Sequence, residues 1–237
     1  MRGSCLKSEL LKFIYNRWLL LCIAGILIFV PGMVLTLDAF AGETGEQLYI
    51  SKIMQAFYLG QVGYAVLTAL YFGQEYLRST LRTGLLCIPK RSRFLLTKLC
   101  CVLLWSALVL CVVNLISFLI IYVVYDIVPI ATLIRNLIPA YLSTLQLVLI
   151  TAAIVVLTRS QIVSIAILIS LILGLGNLLL QYSSMMRYLP VLATMNGFMI
   201  IESPAYLPIW EGVSIQVVWC VGLLLIAGVV FHKRYVR

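Results

Sequence analysis

The chain has 237 residues, of which 63% are hydrophobic and only 11% are charged, and its formal net charge is +9. Soluble domains usually contain about 25% charged residues, and a soluble globule of this size could not bury so much apolar surface. Composition therefore excludes an ordinary soluble enzyme and predicts an all-α integral membrane protein with a single membrane domain over residues 1–237.

The first predicted element is a surface helix over residues 4–17. At the α-helical spacing, Leu6, Leu10 and Phe13 fall on one face. The other face is assigned the polar residues Ser8, Glu9, Lys12 and Asn16. Such a helix can lie in the membrane interface with its apolar side down, and the alternative is a plain N-terminal extension.

Six apolar runs follow; five are close to the roughly 20 residues that a membrane span needs, and the third is longer. They cover about 18–37, 53–73, 95–124, 137–157, 162–182 and 213–231. Pro31 and Gly32 interrupt the first run and predict a kink there. The fourth and fifth runs are joined by four residues, 158–161, and so form an antiparallel pair.

The charged residues alternate between the two sides of these spans. One side carries 14 of the 17 basic residues, and the other carries six of the eight acidic residues. Only Glu9 and Glu75 are acidic residues on the basic side. The positive-inside rule places the basic side, with both termini, in the cytoplasm. The net charge then reflects orientation and contact with anionic lipid, and nucleic acid is not predicted as a partner.

The external segment between the fifth and sixth spans, residues 183–212, is too apolar for an ordinary solvated loop. Pro190, Gly197, Pro204 and Pro208 interrupt it. The pattern predicts a re-entrant hairpin of two short helices in the outer leaflet. Non-helical backbone at that depth must be covered by protein or water.

The cytoplasmic segment after the second span, residues 74–93, is more than a charged turn. Leu77, Leu81 and Leu85 repeat every four residues, as on one helix face. Gly84 weakens that helix, and Pro89 limits its continuation. The pattern predicts a short amphipathic helix and a basic turn. Pattern alone leaves two interpretations open, a docking element for a partner protein and a linker that binds lipid.

The segment contains Glu75, Thr80-Leu81, Leu85-Leu86, Pro89 and Arg91 to Arg93, and Lys98 follows it. These residues resemble the signature of ABC-2-type transporter permeases, whereas Ser79 stands where the family usually has glycine. The predicted topology is also similar along the whole chain. Size and composition further resemble small bacterial permeases of lantibiotic or antimicrobial-peptide immunity exporters.

The resemblance implies a coupling helix in residues 74–93 that sits in a groove of a separate ATPase subunit. Two permease subunits and two ATPase subunits would form a pump in the bacterial cytoplasmic membrane, moving an amphipathic substrate outward. The implied contact residues are Glu75, Arg78, Thr80, Leu81, Arg82, Pro89, Arg91 and Arg93. Glu75 is expected to form an exposed pair with a nearby arginine, contributing about 0–1 kcal/mol.

The sequence offers no chemistry of its own for ATP hydrolysis, because it has no phosphate-binding G-x-x-x-x-G-K-[ST] loop. ATP and Mg²⁺ are therefore expected on the partner subunit. A single histidine, His232, excludes an H-E-x-x-H zinc site. No metal site and no enzymatic activity are predicted.

A lightly polar substrate path is predicted within the spans. Its candidate residues are Gln55, Tyr58, Gln61, Asn114 and Asn177. The alternative for each is hydrogen bonding between packed helices. Gly174 and Gly176 are expected to allow close helix approach.

Two further functions remain open from sequence. A membrane scaffold or sensor would use the basic segment as a dock for lipid or a regulatory protein. An ion-coupled transporter is disfavoured, because no ionisable residue lies near the centre of a predicted span.

Overall fold

The computed structural model describes residues 2–37, 46–77, 91–125 and 130–233. Within these ranges the chain is almost entirely helical and contains no β-strand. The α-helices are α1 (Arg2–Tyr15), α2 (Arg17–Thr36), α3 (Glu46–Leu77), α4 (Arg91–Tyr125), α5 (Ile130–Thr158), α6 (Gln161–Ser170), α7 (Gly176–Tyr182), α8 (Pro190–Ala193) and α9 (Ile209–Lys233). A π-helical turn, Leu171–Leu175, joins α6 to α7.

Six stretches of the described chain are long and apolar enough to cross a membrane. They are Arg17–Thr36, Gln47–Tyr76, Arg91–Val124, Asn136–Thr158, Gln161–Tyr182 and Ile209–Lys233. The predicted all-α architecture with six spans is confirmed. Helix α2 continues past Pro31, so the proline does not end the first span.

Two spans form the centre of the bundle. In α3 and α5, 67% and 61% of an 18-residue apolar stretch of the span is buried, against 33% or less in the other four spans. The α3 span also has the lowest mean hydropathy, 1.3. Protein rather than lipid surrounds it, so it can carry more polar side chains at lower cost.

Small residues set the spacing between α2 and α3. A Cβ on Gly60 would lie 2.7 Å from Val30 Cγ2, and one on Gly63 would lie 2.6 Å from Ile26 Cγ1. Both distances are shorter than a normal carbon–carbon contact, so the absence of a side chain lets the helices approach. This is the close packing that small residues provide between membrane helices.

The fifth span is interrupted in its middle. Gly174 in the π-helical turn has φ 147°, a conformation that favours glycine, and the Tyr58 hydroxyl donates a hydrogen bond of 2.9 Å to the Ile172 carbonyl. A Cβ on Gly174 would meet no atom within 4 Å, so the expectation of close helix approach is wrong there. It holds at Gly176, where a Cβ would lie 3.1 Å from Leu192 Cγ. Backbone conformation, not packing, requires Gly174.

Replacing Gly174 by alanine should therefore lower stability by about 1–3 kcal/mol, the usual cost of a strained backbone conformation. The measurement is thermal unfolding of the purified protein in detergent. Gly25→Ala on α2 is the matched control, because its Cβ also meets nothing within 4 Å and its helix is regular. Equal unfolding temperatures for the two variants would contradict the conformational requirement.

The segment before the last span folds onto the bundle. A 3₁₀ turn Ser184–Tyr188, helix α8 and a second 3₁₀ turn Met195–Phe198 replace the two predicted helices, and every side chain of α8 is buried. The buried Asn196 amide donates to the carbonyls of Ser203 (3.1 Å) and Leu207 (3.0 Å). Protein thus covers the irregular backbone around α8 and Asn196, as a non-helical segment inside a membrane would require, whereas Ile201 and Glu202 are exposed.

Candidate functional site

Four charged side chains meet where α1, the end of α3 and the start of α4 come together. We call Glu9, Lys12, Glu75 and Lys98 the ion cluster. Glu9, Glu75 and Lys98 are only 4%, 8% and 2% exposed, whereas about half of the Lys12 side chain is accessible. Two carboxylates and two ammonium groups give the cluster no net charge, which offsets part of the cost of removing each ion from water.

Glu9 links α1 to both neighbouring helices. The Tyr71 hydroxyl of α3 donates a hydrogen bond of 2.6 Å to Glu9 Oε2, and Lys98 Nζ of α4 lies 4.0 Å from the same oxygen. Lys12 Nζ donates to Glu9 Oε1. Each carboxylate oxygen therefore has a donor or cation beside it, as a buried acid requires.

Glu75 and Lys98 join the two helices that flank residues 78–90. Lys98 Nζ lies 2.9 Å from Glu75 Oε1, and Lys12 Nζ lies 3.5 Å from the same oxygen. Lys98 Nζ also lies 4.3 Å from the centroid of the Tyr71 ring, a favourable cation–π position. The expectation that Glu75 forms an exposed pair is wrong, because its carboxylate is buried and contacts these two lysines.

Helix α1 buries residues from both of its predicted faces. Glu9 and Phe13 are four residues apart, so they lie on the same face, and both are buried. The Phe13 ring packs 4.4 Å from the Tyr71 ring and 5.5 Å from the Trp105 ring, measured between centroids. The predicted assignment of Glu9 to an outward polar face is therefore wrong. Leu11, Ile14 and Tyr15 are exposed instead.

The junction of α1 and α2 is fixed by Asn16. Its side-chain oxygen accepts a hydrogen bond of 3.1 Å from the Trp18 N–H and caps α2, and its amide donates to the Gln74 side chain of α3. An asparagine in this position satisfies one of the free N–H groups of a helix start. Asn16 therefore holds α1, α2 and α3 together one turn beyond the ion cluster.

The environment favours a charged Lys12. Partial burial lowers its pKa, but hydrogen bonds and attraction from Glu9 and Glu75 outweigh burial, and the pKa of Lys12 lies above its ordinary value of 10.5. A raised folded-state pKa adds stability that is present below pH 10.5 and is lost as the pH rises through the folded-state value. Lys12 thus keeps its charge in the cluster at neutral pH.

The predicted coupling residues are only partly within the described chain. Arg78, Thr80, Leu81, Arg82 and Pro89 lie outside the described residues. Glu75 belongs to the ion cluster, Arg93 is exposed at the start of α4, and Arg91 Nη1 donates a hydrogen bond of 2.9 Å to the His232 carbonyl. Both edges of the predicted segment are thus anchored to the bundle, one through Glu75 and the other through Arg91.

The ion cluster can transmit displacement between helices. A salt bridge of 2.9 Å between Glu75 and Lys98 joins α3 to α4. A force on residues 78–90, which connect these helices, would therefore act on both helices together. Glu9 and Phe13 join α1 to the same two helices. Buried, well-packed contacts shift between discrete arrangements rather than deforming gradually, which suits a mechanical link.

Four of the five residues predicted to line a substrate path have separate hydrogen-bonding partners. Gln55 donates to Ser51 (3.2 Å), Gln61 to Thr144 of α5 (3.5 Å) and Tyr58 to Ile172. Asn177 accepts from Tyr206 (3.0 Å), and the buried Oδ1 of Asn114 has no partner among the described residues. These bonds do not gather the five into one cluster, and the path remains a prediction.

Comparison with known families agrees with this architecture. No curated protein sequence matches the chain. A family model described as "ABC-2 family transporter protein" matches residues 5–177, well over half of the 237. The match begins within α1 and includes the whole ion cluster and the segment between α3 and α4. The chain therefore belongs to the ABC-2 family and is a multi-pass membrane permease component of an ABC transporter.

Proposed function

We propose that this permease receives mechanical energy from an ATPase subunit through residues 74–93 and uses it to export an amphipathic substrate, with an antimicrobial peptide of the lantibiotic type as first candidate. The ATPase subunits hold ATP and Mg²⁺. A second permease subunit, of the same or a related chain, completes the pump. Both termini and the basic end of the bundle face the cytoplasm of a bacterial cell.

The ion cluster is the observation that carries this proposal. A coupling element is useful only if its movement reaches the spans, and Glu75 and Lys98 tie the two flanks of the segment to each other. Tyr71 and Glu9 extend the connection to α1. Movement of the segment by an ATPase would then displace α1, α3 and α4 as a unit.

The charge distribution supports the proposed orientation. Basic residues cluster at the end of the bundle where α3 ends and α4 begins, and the positive-inside rule assigns that end to the cytoplasm. An ATP-hydrolysing partner must dock on that side, where nucleotide is present. The outward direction and the peptide substrate come from the resemblance to small immunity exporters.

The first test is affinity purification of the chain from its native membrane under conditions that preserve complexes, followed by mass spectrometry and an ATPase assay. We expect an ATP-binding subunit to co-purify with activity. A stable preparation without ATPase would contradict the proposal and favour a scaffold role.

The second test changes the segment itself. Leu81→Asp should lower recovery of the ATPase subunit and its stimulation at least severalfold, because a charge replaces an apolar residue on the proposed docking face, while membrane insertion should be unchanged. Arg159→Asp is the matched control, since it adds an aspartate in the short connection between α5 and α6. A well-inserted Leu81→Asp protein with normal ATPase coupling would refute the docking role.

A further inference from the structure

A groove opens between the start of α4 and the end of α9. Its volume is about 500 Å³, within the range of ordinary ligand pockets, about 300–1,000 Å³. Leu95, Leu96 and Leu99 form one wall, and Leu224, Leu225 and Val229 form the other. Three of these side chains are largely exposed, with Leu96 at 64%, Leu225 at 66% and Val229 at 52%.

The mouth of the groove is basic. Arg91, His232 and Lys233 stand at the end of the two helices, and the lining that the structure describes includes no acidic side chain. The imidazole of His232 and the amine of Lys233 are exposed. The Arg91 guanidinium is held beside them by its hydrogen bond to the His232 carbonyl.

Apolar walls below a cationic mouth match one kind of molecule in a bilayer. We propose that the groove binds an anionic glycerophospholipid, with an acyl chain along the leucines and the phosphate at Arg91 and Lys233. Basic pockets between membrane helices bind anionic head groups, and each nearby Lys or Arg strengthens the attraction. A zwitterionic lipid offers the same chains but less attraction at the mouth.

Gly228 provides a direct way to fill the groove. It lines the groove, and a Cβ on it would meet no atom within 4 Å. Gly228→Leu should therefore occupy the space intended for an acyl chain without disturbing the helices. Gly222→Leu is its matched control, because Gly222 lies on the same helix, has equally open surroundings and is not among the groove residues.

The experiment is native mass spectrometry of the full chain in detergent with equal amounts of dioleoylphosphatidylglycerol and dioleoylphosphatidylcholine. We expect the unaltered protein and Gly222→Leu to retain phosphatidylglycerol in preference to phosphatidylcholine, and Gly228→Leu to lose that preference. Lys233→Gln should weaken phosphatidylglycerol retention about fivefold, the effect of one cation near an anionic head group. Arg159→Gln removes one cation from an exposed turn outside the groove and should change nothing.

Three results would overturn the proposal. Equal retention of the two lipids by the unaltered chain would remove the basis for an anionic site. Unchanged phosphatidylglycerol retention in Gly228→Leu would show that the lipid binds elsewhere. A change from dimer to monomer in Gly228→Leu, with retention intact, would identify the groove as an interface between copies of the chain. Thermal unfolding that matches Gly222→Leu confirms that the variant is folded.

Discussion

Replacing Lys98 by methionine is expected to lower the free energy of unfolding by about 3–5 kcal/mol, the usual cost of breaking a buried ion pair by removing one partner. Lys98 is 2% exposed and supports both Glu75, at 2.9 Å, and Glu9, at 4.0 Å. Methionine fills a similar volume but leaves two buried carboxylates with Lys12 as the remaining lysine of the cluster. The measurement is thermal unfolding in detergent, together with the amount of protein in the membrane.

A second substitution separates the charge effect from a packing effect. Lys98→Met leaves the carboxylates of Glu9 and Glu75 with one lysine, Lys12. Adding Glu75→Gln removes one of these carboxylates and restores the charge balance, so the double variant should be more stable than Lys98→Met alone. Arg159→Met is the surface control, because it removes a cation from an exposed turn and should change stability by less than about 0.5 kcal/mol. A Lys98→Met protein as stable as Arg159→Met would show that the ion cluster does not hold α1, α3 and α4 together.

Gly212→Ala should be nearly as damaging, at about 3 kcal/mol, the upper end of typical overpacking penalties. A Cβ on Gly212 would lie 1.8 Å from the Ala193 carbonyl oxygen and 2.8 Å from its carbonyl carbon. Both are backbone atoms of Ala193, the last residue of α8, so no side-chain rotation can relieve the clash. We expect α8 to separate from the start of α9 and the unfolding temperature to fall.

Gly222→Ala is the control for that prediction. It lies on the same helix with no atom within 4 Å of its Cβ, and alanine is the better helix former. Its unfolding temperature should stay the same or rise. If Gly212→Ala behaved like Gly222→Ala, the tight contact between Gly212 and Ala193 could not be a feature of the folded protein.

The six spans could be predicted from sequence because each depends on a property of its own residues. A run of about 20 apolar residues must be helical in a bilayer, where no water satisfies the backbone. The alternation of charge supports the number of crossings without any knowledge of packing. The ends of α3 and α4 were less predictable, since polar side chains such as Glu75 extend these helices beyond the apolar runs.

The ion cluster could not be predicted as a cluster, because its members are far apart in sequence. One signal was nevertheless visible, since Glu9 and Glu75 are the only acidic residues on the basic side of the membrane. Two acids retained among many cations suggest a shared role. Which lysines they contact depends on how α1 docks against α3 and α4, and helical periodicity alone does not define that arrangement.

The glycines show the same limit of sequence reasoning. The sequence predicts the same role for Gly174 and Gly176, which are two residues apart, yet one adopts an unusual backbone conformation and the other packs against Leu192. The sequence shows where a glycine stands, but it does not show whether the position uses the backbone freedom of glycine or the absence of a side chain. That distinction requires the position of the segment between α7 and α9.

The ion cluster also constrains the order in which the protein is assembled. Glu9 is made early, but its hydrogen-bonding partner Tyr71 is 62 residues further along the chain, and Lys98 is synthesised later still. During co-translational insertion, α1 cannot complete its contacts until the third span has entered the membrane. Until then Lys12 of the same helix is the cluster lysine that can pair with Glu9, so the docking of α1 is complete only once the first three spans are in place.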